Sequence, residues 1–110
     1  MRILTLCHEA PPIGGGAGAA AIALAEELVR RGHEVDYVTM HHGDLAERED
    51  RDGVKILRMK CGRRVPELST TPEKIRWVLS ARREVARLLR GSRYDVVHCH
   101  FVVPAGLIAY

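Results

Sequence analysis

Apolar residues along the chain come in two rhythms. RILTLC (2–7), EVDYVTM (34–40), VKILRMK (54–60) and DVVHCHF (95–101) are short, rich in branched residues and bounded by turn formers, which predicts four strands. Between the first and second strands, Ala21, Leu24, Ala25, Leu28 and Val29 recur at helical spacing and predict a helix over 17–31. Glu26–Arg30 and Glu27–Arg31 are i,i+4 pairs in the favourable order, and Gly32 suits the position after the helix end. A second helix is expected from a cap at Thr71, with Pro72 in its first position, to about Arg90. Its inward side would carry Ile75, Val78, Val85 and Leu88 or Leu89. The polar run 41–53 reads as a connection, with one helical turn begun by Asp44.

Strand, helix, strand, strand, helix, strand predicts an α/β fold, a Rossmann-like parallel sheet of order 3-2-1-4 with flanking helices. The first and fourth strands are nearly continuous apolar runs, as expected of strands covered on both faces. PAGLIAY (104–110) begins a further helix and stops without a cap. The chain therefore reads as the front piece of a longer protein, with 1–110 a partial N-terminal domain.

Composition removes several function classes. The 110 residues suffice for one small core. No apolar run reaches the roughly 20 residues that span a bilayer. A net charge of +3 and five scattered aromatics give no platform for nucleic acid. Cys7, Cys61 and Cys99 have no CxxC spacing, so the simplest compartment is a reducing cytoplasm. His8, His41, His42 and His100 fall near one sheet edge, but nothing in their spacing sets up zinc ligation, and no metal is expected.

The chemistry concentrates in PPIGGGAGAAAIALAEEL (11–28), where four glycines in five residues precede a strong helix. Gly14, Gly15, Gly16 and Ala17 lie where a loop leaves the first strand for a helix N-terminus. Exposed N–H groups and the helix dipole favour anions there, so these residues are expected to meet phosphate. The pattern GxGxxG/A is formally matched by Gly14, Gly16 and Ala19. However, His8–Ile13 separates it from the strand, and Thr39-Met40-His41 stands where an acidic residue would hold a ribose. GxxxxGK[ST] is missing its lysine.

PPIGGGAGAAAIALAEELVRRGHEVDYVTM resembles the opening of the family 4 glycosyltransferases of GT-B fold, and YDVVHCHFVVPAGLIAY resembles their later DVVHxHF strand and helix. The resemblance implies the N-terminal, mainly acceptor-side half of such an enzyme. Its reaction would transfer a hexose from a nucleotide-diphosphate sugar to an acceptor hydroxyl, with retention and without metal or other cofactor. Gly15 and Gly16 fall on the family's glycine pair, set against the diphosphate or near the acceptor. His100 falls on the histidine that faces the transferred sugar, and His8 would line the floor. The second domain, with its Glu-x7-Glu motif, is absent. Glu26 and Glu34 share that spacing by chance. The 110 residues alone are expected to be inactive. The alternative is a non-catalytic Rossmann-like module that binds a phosphorylated small molecule.

His98 shares a strand face with His100 and, lying deeper, reads as a buried neutral histidine. Arg76, Arg83, Arg87 and Arg90 form a stripe that reads first as a solvated face; the resemblance, to enzymes that often act on lipid-linked acceptors, implies the other reading, contact with an anionic membrane that would place the protein at its inner face. With no strand beyond the fourth, its apolar edge and the segment Pro104–Tyr110 are expected to promote self-association.

Overall fold

The computed structural model describes residues 1–10, 16–43, 45–61, 70–91 and 93–100. The elements are β1 (Arg2–Leu6), α1 (Gly16–Arg30), β2 (Glu34–Met40), β3 (Arg48–Arg51), β4 (Val54–Met59), α2 (Thr71–Gly91) and β5 (Val96–Cys99). They build an α/β, Rossmann-like sheet flanked by helices. The helix expected within PAGLIAY and the turn at Asp44 lie outside the described residues.

The strand order is β3-β4-β2-β1-β5, which corrects the expected four-stranded 3-2-1-4 sheet. Four strands are parallel, and β3 is added antiparallel at the edge of β4. β3 comes from the polar run read as a connection. Its residues, REDR, carry no apolar alternation and are largely exposed. A backbone device makes it a strand. Asp52 and Gly53 both take positive φ, 50° and 91°, the conformation of a two-residue hairpin turn. The Gly53 N–H also donates to Asp50 Oδ1 at 3.0 Å. Asp-Gly is the strongest short hairpin signal, and here it overrode the missing hydrophobic pattern. A charged edge strand also blunts pairing with other chains.

Strand alternation splits the core into two layers. Leu4, Leu6, Val38, Met40 and Leu57 face α2, against Trp77, Ala81 and Val85. Ile3, Cys7, Val35, Tyr37, Val54 and Ile56 face α1, against Ala21, Ile22 and Ala25. Both helices bury most of the expected side, Ala21, Ala25, Leu28 and Val29 in α1 and Val78, Val85 and Leu88 in α2, and each leaves one expected residue outside. In α1, Ile22 is buried while Leu24 is exposed, because Gly18, Ala21 and Ala25 let the backbone lie close to the sheet. In α2, Trp77 is fully buried and Ile75 is 55% exposed. The largest apolar side chain sets the facing, and Ile75 lies about 200° around the helix from it, at 100° per residue.

Helix ends follow local chemistry. α1 closes in a Schellman motif: Gly32, at positive φ, donates to Val29 O at 3.0 Å, and His33 donates to Leu28 O at 3.1 Å. α2 opens with a capping box set one residue earlier than expected. Glu73 N–H donates to Thr70 Oγ1 at 3.3 Å, and Thr70 N–H donates to Glu73 Oε1 at 2.9 Å. Thr70, not Thr71, is the cap, because only Thr70 has a glutamate three residues on.

The two facings separate in a stability measurement. Trp77→Ala should cost about 3–5 kcal/mol in urea unfolding, as for other large aromatic truncations in a core. Ile75→Ala should stay within about 0.5 kcal/mol, as for an exposed position.

Candidate functional site at the carboxyl edge of the sheet

β1 lies between β2 and β5. The chain leaves β1 through α1 toward β2, while β5 lies on the other side. The carboxyl ends of β1 and β5 therefore flank the point where the winding reverses, where ligands bind in open α/β sheets. Backbone bonds carry the ladder past the strand ends there. His100 N–H donates to Leu6 O at 2.9 Å, and Cys7 N–H donates to Val38 O at 3.2 Å.

The segment after β1 is held from two sides. The Tyr37 hydroxyl, from β2, donates to Glu9 O at 2.7 Å. From above, the first turn of α1 presses on the same residue. A Cβ built on Gly18 would stand 2.8 Å from Glu9 Cβ and 3.1 Å from its carbonyl carbon, closer than real side chains approach. Gly18 is thus a glycine whose missing side chain the packing against Glu9 requires. At Gly16 nothing lies within 4 Å of such a Cβ. Burial pushes both the Tyr37 hydroxyl and the Cys7 thiol upward, so both stay protonated and neutral. Gly18 and Tyr37 escaped the sequence reading as site-forming residues. Tyr37's inward alternation was the one signal available for it.

Gly16 and Ala17 open α1 at this edge, and both are exposed. No acidic side chain stands in the helix's first turn, so the positive end of the dipole keeps its pull on anions. Gly14 and Gly15 lie outside the described residues.

His98 and His100 project to the α1 side of the sheet, with ring centroids 4.3 Å apart and planes 40° apart. Both are half-buried, which corrects the expectation that His98 lies buried beneath His100. β5 is an edge strand of four residues, too short to cover its own second histidine. His100 Nε2 is a buried atom with no hydrogen-bond partner among the described residues. Burial, and then the neighbouring His98, hold the His100 imidazole below its ordinary pKa. At neutral pH it is uncharged and can both donate and accept.

His8 does not join this pair. It is 7% exposed, and its ring lies 6.3 Å from that of Trp77, on the α2 side of the sheet. The expected floor residue is a core histidine on the far layer. His41 is engaged through Nε2 with Leu45 O at 2.6 Å. Among the described residues no three His, Cys, Asp or Glu side chains converge as metal ligands do. Thr39 and Met40 are fully buried and cannot reach a ribose. Glu26 and Glu34 are spent on Arg51 and Arg2, at 3.4 and 3.3 Å.

Two measurements check this geometry. Gly18→Ala should destabilise the fold by about 1–3 kcal/mol through overpacking. Gly16→Ala should be neutral to stabilising by up to about 1 kcal/mol. Acidification provides the second. Because the folded pKa of His100 is depressed, the unfolded state binds its proton first. Stability present above about pH 6.5 should fall as pH drops through that value toward the folded pKa. His100→Gln should flatten that slope in unfolding curves taken between pH 8 and pH 5, roughly the range in which histidine titrates.

Comparison with known proteins gives these features a context. Residues 14–110 match the profile of Glycosyltransferase Family 4. An uncharacterised glycosyltransferase of Methanocaldococcus jannaschii is 36% identical over 104 residues, which is 91% of this chain and 25% of that protein. The sucrose-phosphate synthase structure from Thermosynechococcus elongatus superposes with a TM-score of 0.71 at 18% identity, over 98% of this chain and 29% of the synthase. This chain thus spans about a quarter of the length of its curated relative. The fold is a Rossmann-like unit of the GT-B type, and the chain belongs to glycosyltransferase family 4.

Proposed function

We propose that these residues form the acceptor-side part of an enzyme that transfers a hexose from a nucleotide-diphosphate sugar to an acceptor hydroxyl, with retention and without a bound metal. The observation that carries this reading is His100 Nε2. It is a buried, unpartnered nitrogen among the described residues, on a neutral imidazole, at the point where the sheet reverses its winding. Such a group hydrogen-bonds a sugar hydroxyl in either direction without adding charge.

The N–H groups at the start of α1 supply the second half of the chemistry. Charge develops on the leaving diphosphate as the glycosidic bond to the donor breaks. Fixed backbone donors and the helix dipole stabilise that charge with little reorganisation. Gly15 and Gly16 would let the phosphate approach the backbone. Gly18 and Tyr37 act at one remove, by fixing where α1 begins relative to Glu9. A cytoplasmic setting fits Cys7, Cys61 and Cys99, all thiols. The rest of the nucleotide site would come from sequence beyond this quarter of the relative's length.

Nuclear magnetic resonance of the labelled chain tests the half-site. Adding a nucleotide-diphosphate sugar should shift the amides of Gly16, Ala17 and His100, with an affinity of about 1 mM, equivalent to about 4 kcal/mol. Turnover by these 110 residues alone should be absent, and its detection would overturn the division of the site. Shifts confined to α2 would overturn the placement. In a longer polypeptide that transfers sugar, His100→Ala should lower kcat by roughly 100-fold with the fold intact.

A further inference from the structure

His100 follows a strand that gives it little shelter. β5 ends the sheet and pairs with β1 alone. Val96 and Val97, which point to its two faces, are 42% and 40% exposed. Yet the His100 Nε2 atom is buried. One neighbour beside it is His98. Residues two apart on an extended chain stand side by side on one face, here the face that Thr5 shares in register with His98. The two ring centroids are 4.3 Å apart and the planes 40° apart, so one imidazole lies against the other.

The chemistry of that neighbour matters. A carboxylate in its place would favour a charged His100, and an aliphatic side chain would only exclude water. A second imidazole, once protonated, opposes a like charge on His100. Two unit charges at 4.3 Å interact by about 0.7 of a pKa unit in bulk water, and by more where burial lowers the dielectric. On the α1 side β1 offers no charge to offset this. It presents Ile3 and Thr5, then Cys7, whose thiol burial keeps protonated. Glu9, on the segment after β1, acts on Cys7 and Tyr37. Asp95 precedes β5 and takes the Arg2 N–H at 2.8 Å. The first turn of α1 carries no acidic side chain.

We propose that His98 is a positioning residue for the transferred sugar and acts through His100: its ring packs on the His100 imidazole and keeps it uncharged into mildly acidic conditions. An uncharged imidazole can accept a hydrogen bond from a sugar hydroxyl as well as donate one, whereas an imidazolium only donates. The inference rests on the sugar-transfer reading of His100, but the pairing itself is measurable without turnover.

A pH titration of the His100 ring signals, by nuclear magnetic resonance on the labelled chain, tests the pairing. The curve should be centred below histidine's ordinary value of about 6.5 and broadened beyond a one-proton transition. His98→Gln removes the charge and keeps a polar side chain. It should raise the His100 midpoint by about 0.7 unit or more and narrow the curve. His98→Phe keeps a ring without a charge. It should narrow the curve equally while the midpoint stays below that of His98→Gln, which separates charge from cover. In a longer polypeptide that transfers sugar, His98→Gln should raise the ratio of kcat at about pH 8 to kcat at about pH 6 roughly twofold or more. A His100 curve unmoved by both substitutions would overturn the proposal. So would an equal loss of kcat at both pH values, which would make His98 a substrate contact. A titration that responds as expected, with transfer indifferent to His100→Ala, would strike the sugar-transfer reading, and with it the role of His98 in transfer, while the pairing stood.

Discussion

The contact between Gly18 and Glu9 sets the distance at which α1 meets the sheet. With 2.8 Å available to a Cβ, the helix can approach only because that atom is missing. The approach turns Ala21, Ile22 and Ala25 toward β1, β2 and β4 and leaves Leu24 outside. Tyr37 supports the contact from below by holding the Glu9 carbonyl, which fixes the segment that α1 rests on. The same contact aims the helix's first N–H groups over the carboxyl edge of the sheet. A side chain at position 18 would push the helix start off Glu9.

The two edges of the sheet are built for different tasks. At the amino edge polar groups satisfy one another. Arg2 pairs with Glu34 at 3.3 Å and Asp36 at 3.6 Å and lies over the Tyr94 ring at 5.1 Å. The Tyr94 hydroxyl donates to Asp36, and the Asp95 carboxylate takes the Arg2 N–H at 2.8 Å. Burial and the Asp36 carboxylate raise the Tyr94 pKa, so it remains a donor. At the carboxyl edge, by contrast, the His100 Nε2 is left unpaired among the described residues. A buried polar atom without a partner costs stability unless something else completes it. That asymmetry is physical grounds for placing a ligand at one edge and not the other.

Helix α2 divides its work in the same way. Its inner side is apolar and dominated by Trp77, which also closes over His8. Its outer side joins exposed aliphatic residues with unneutralised arginines. One helix thus carries the anchor of a core layer and an exposed side of mixed aliphatic and basic residues. Its facing is set by the larger apolar residue, so the smaller ones, Ile75 and Leu79, are left outside.

The sequence by itself determined what depends on neighbours in the chain. Apolar rhythm placed the four parallel strands and both helices, Gly32 marked the end of α1, and the motifs at either end pointed to the glycosyltransferase family. Local patterns carry these features because strand alternation, helix period and end capping act over a few residues. The tertiary structure decided which expected helix residues stay outside, Leu24 in α1 and Ile75 in α2, because the close approach at Gly18 and the bulk of Trp77 set the facing. It made a strand of REDR, whose pairing rests on the Asp52–Gly53 turn and not on its own side chains. It also sent His8 to the layer opposite His98 and His100, since residues consecutive along an extended chain face opposite sides of a sheet however close they stand in sequence.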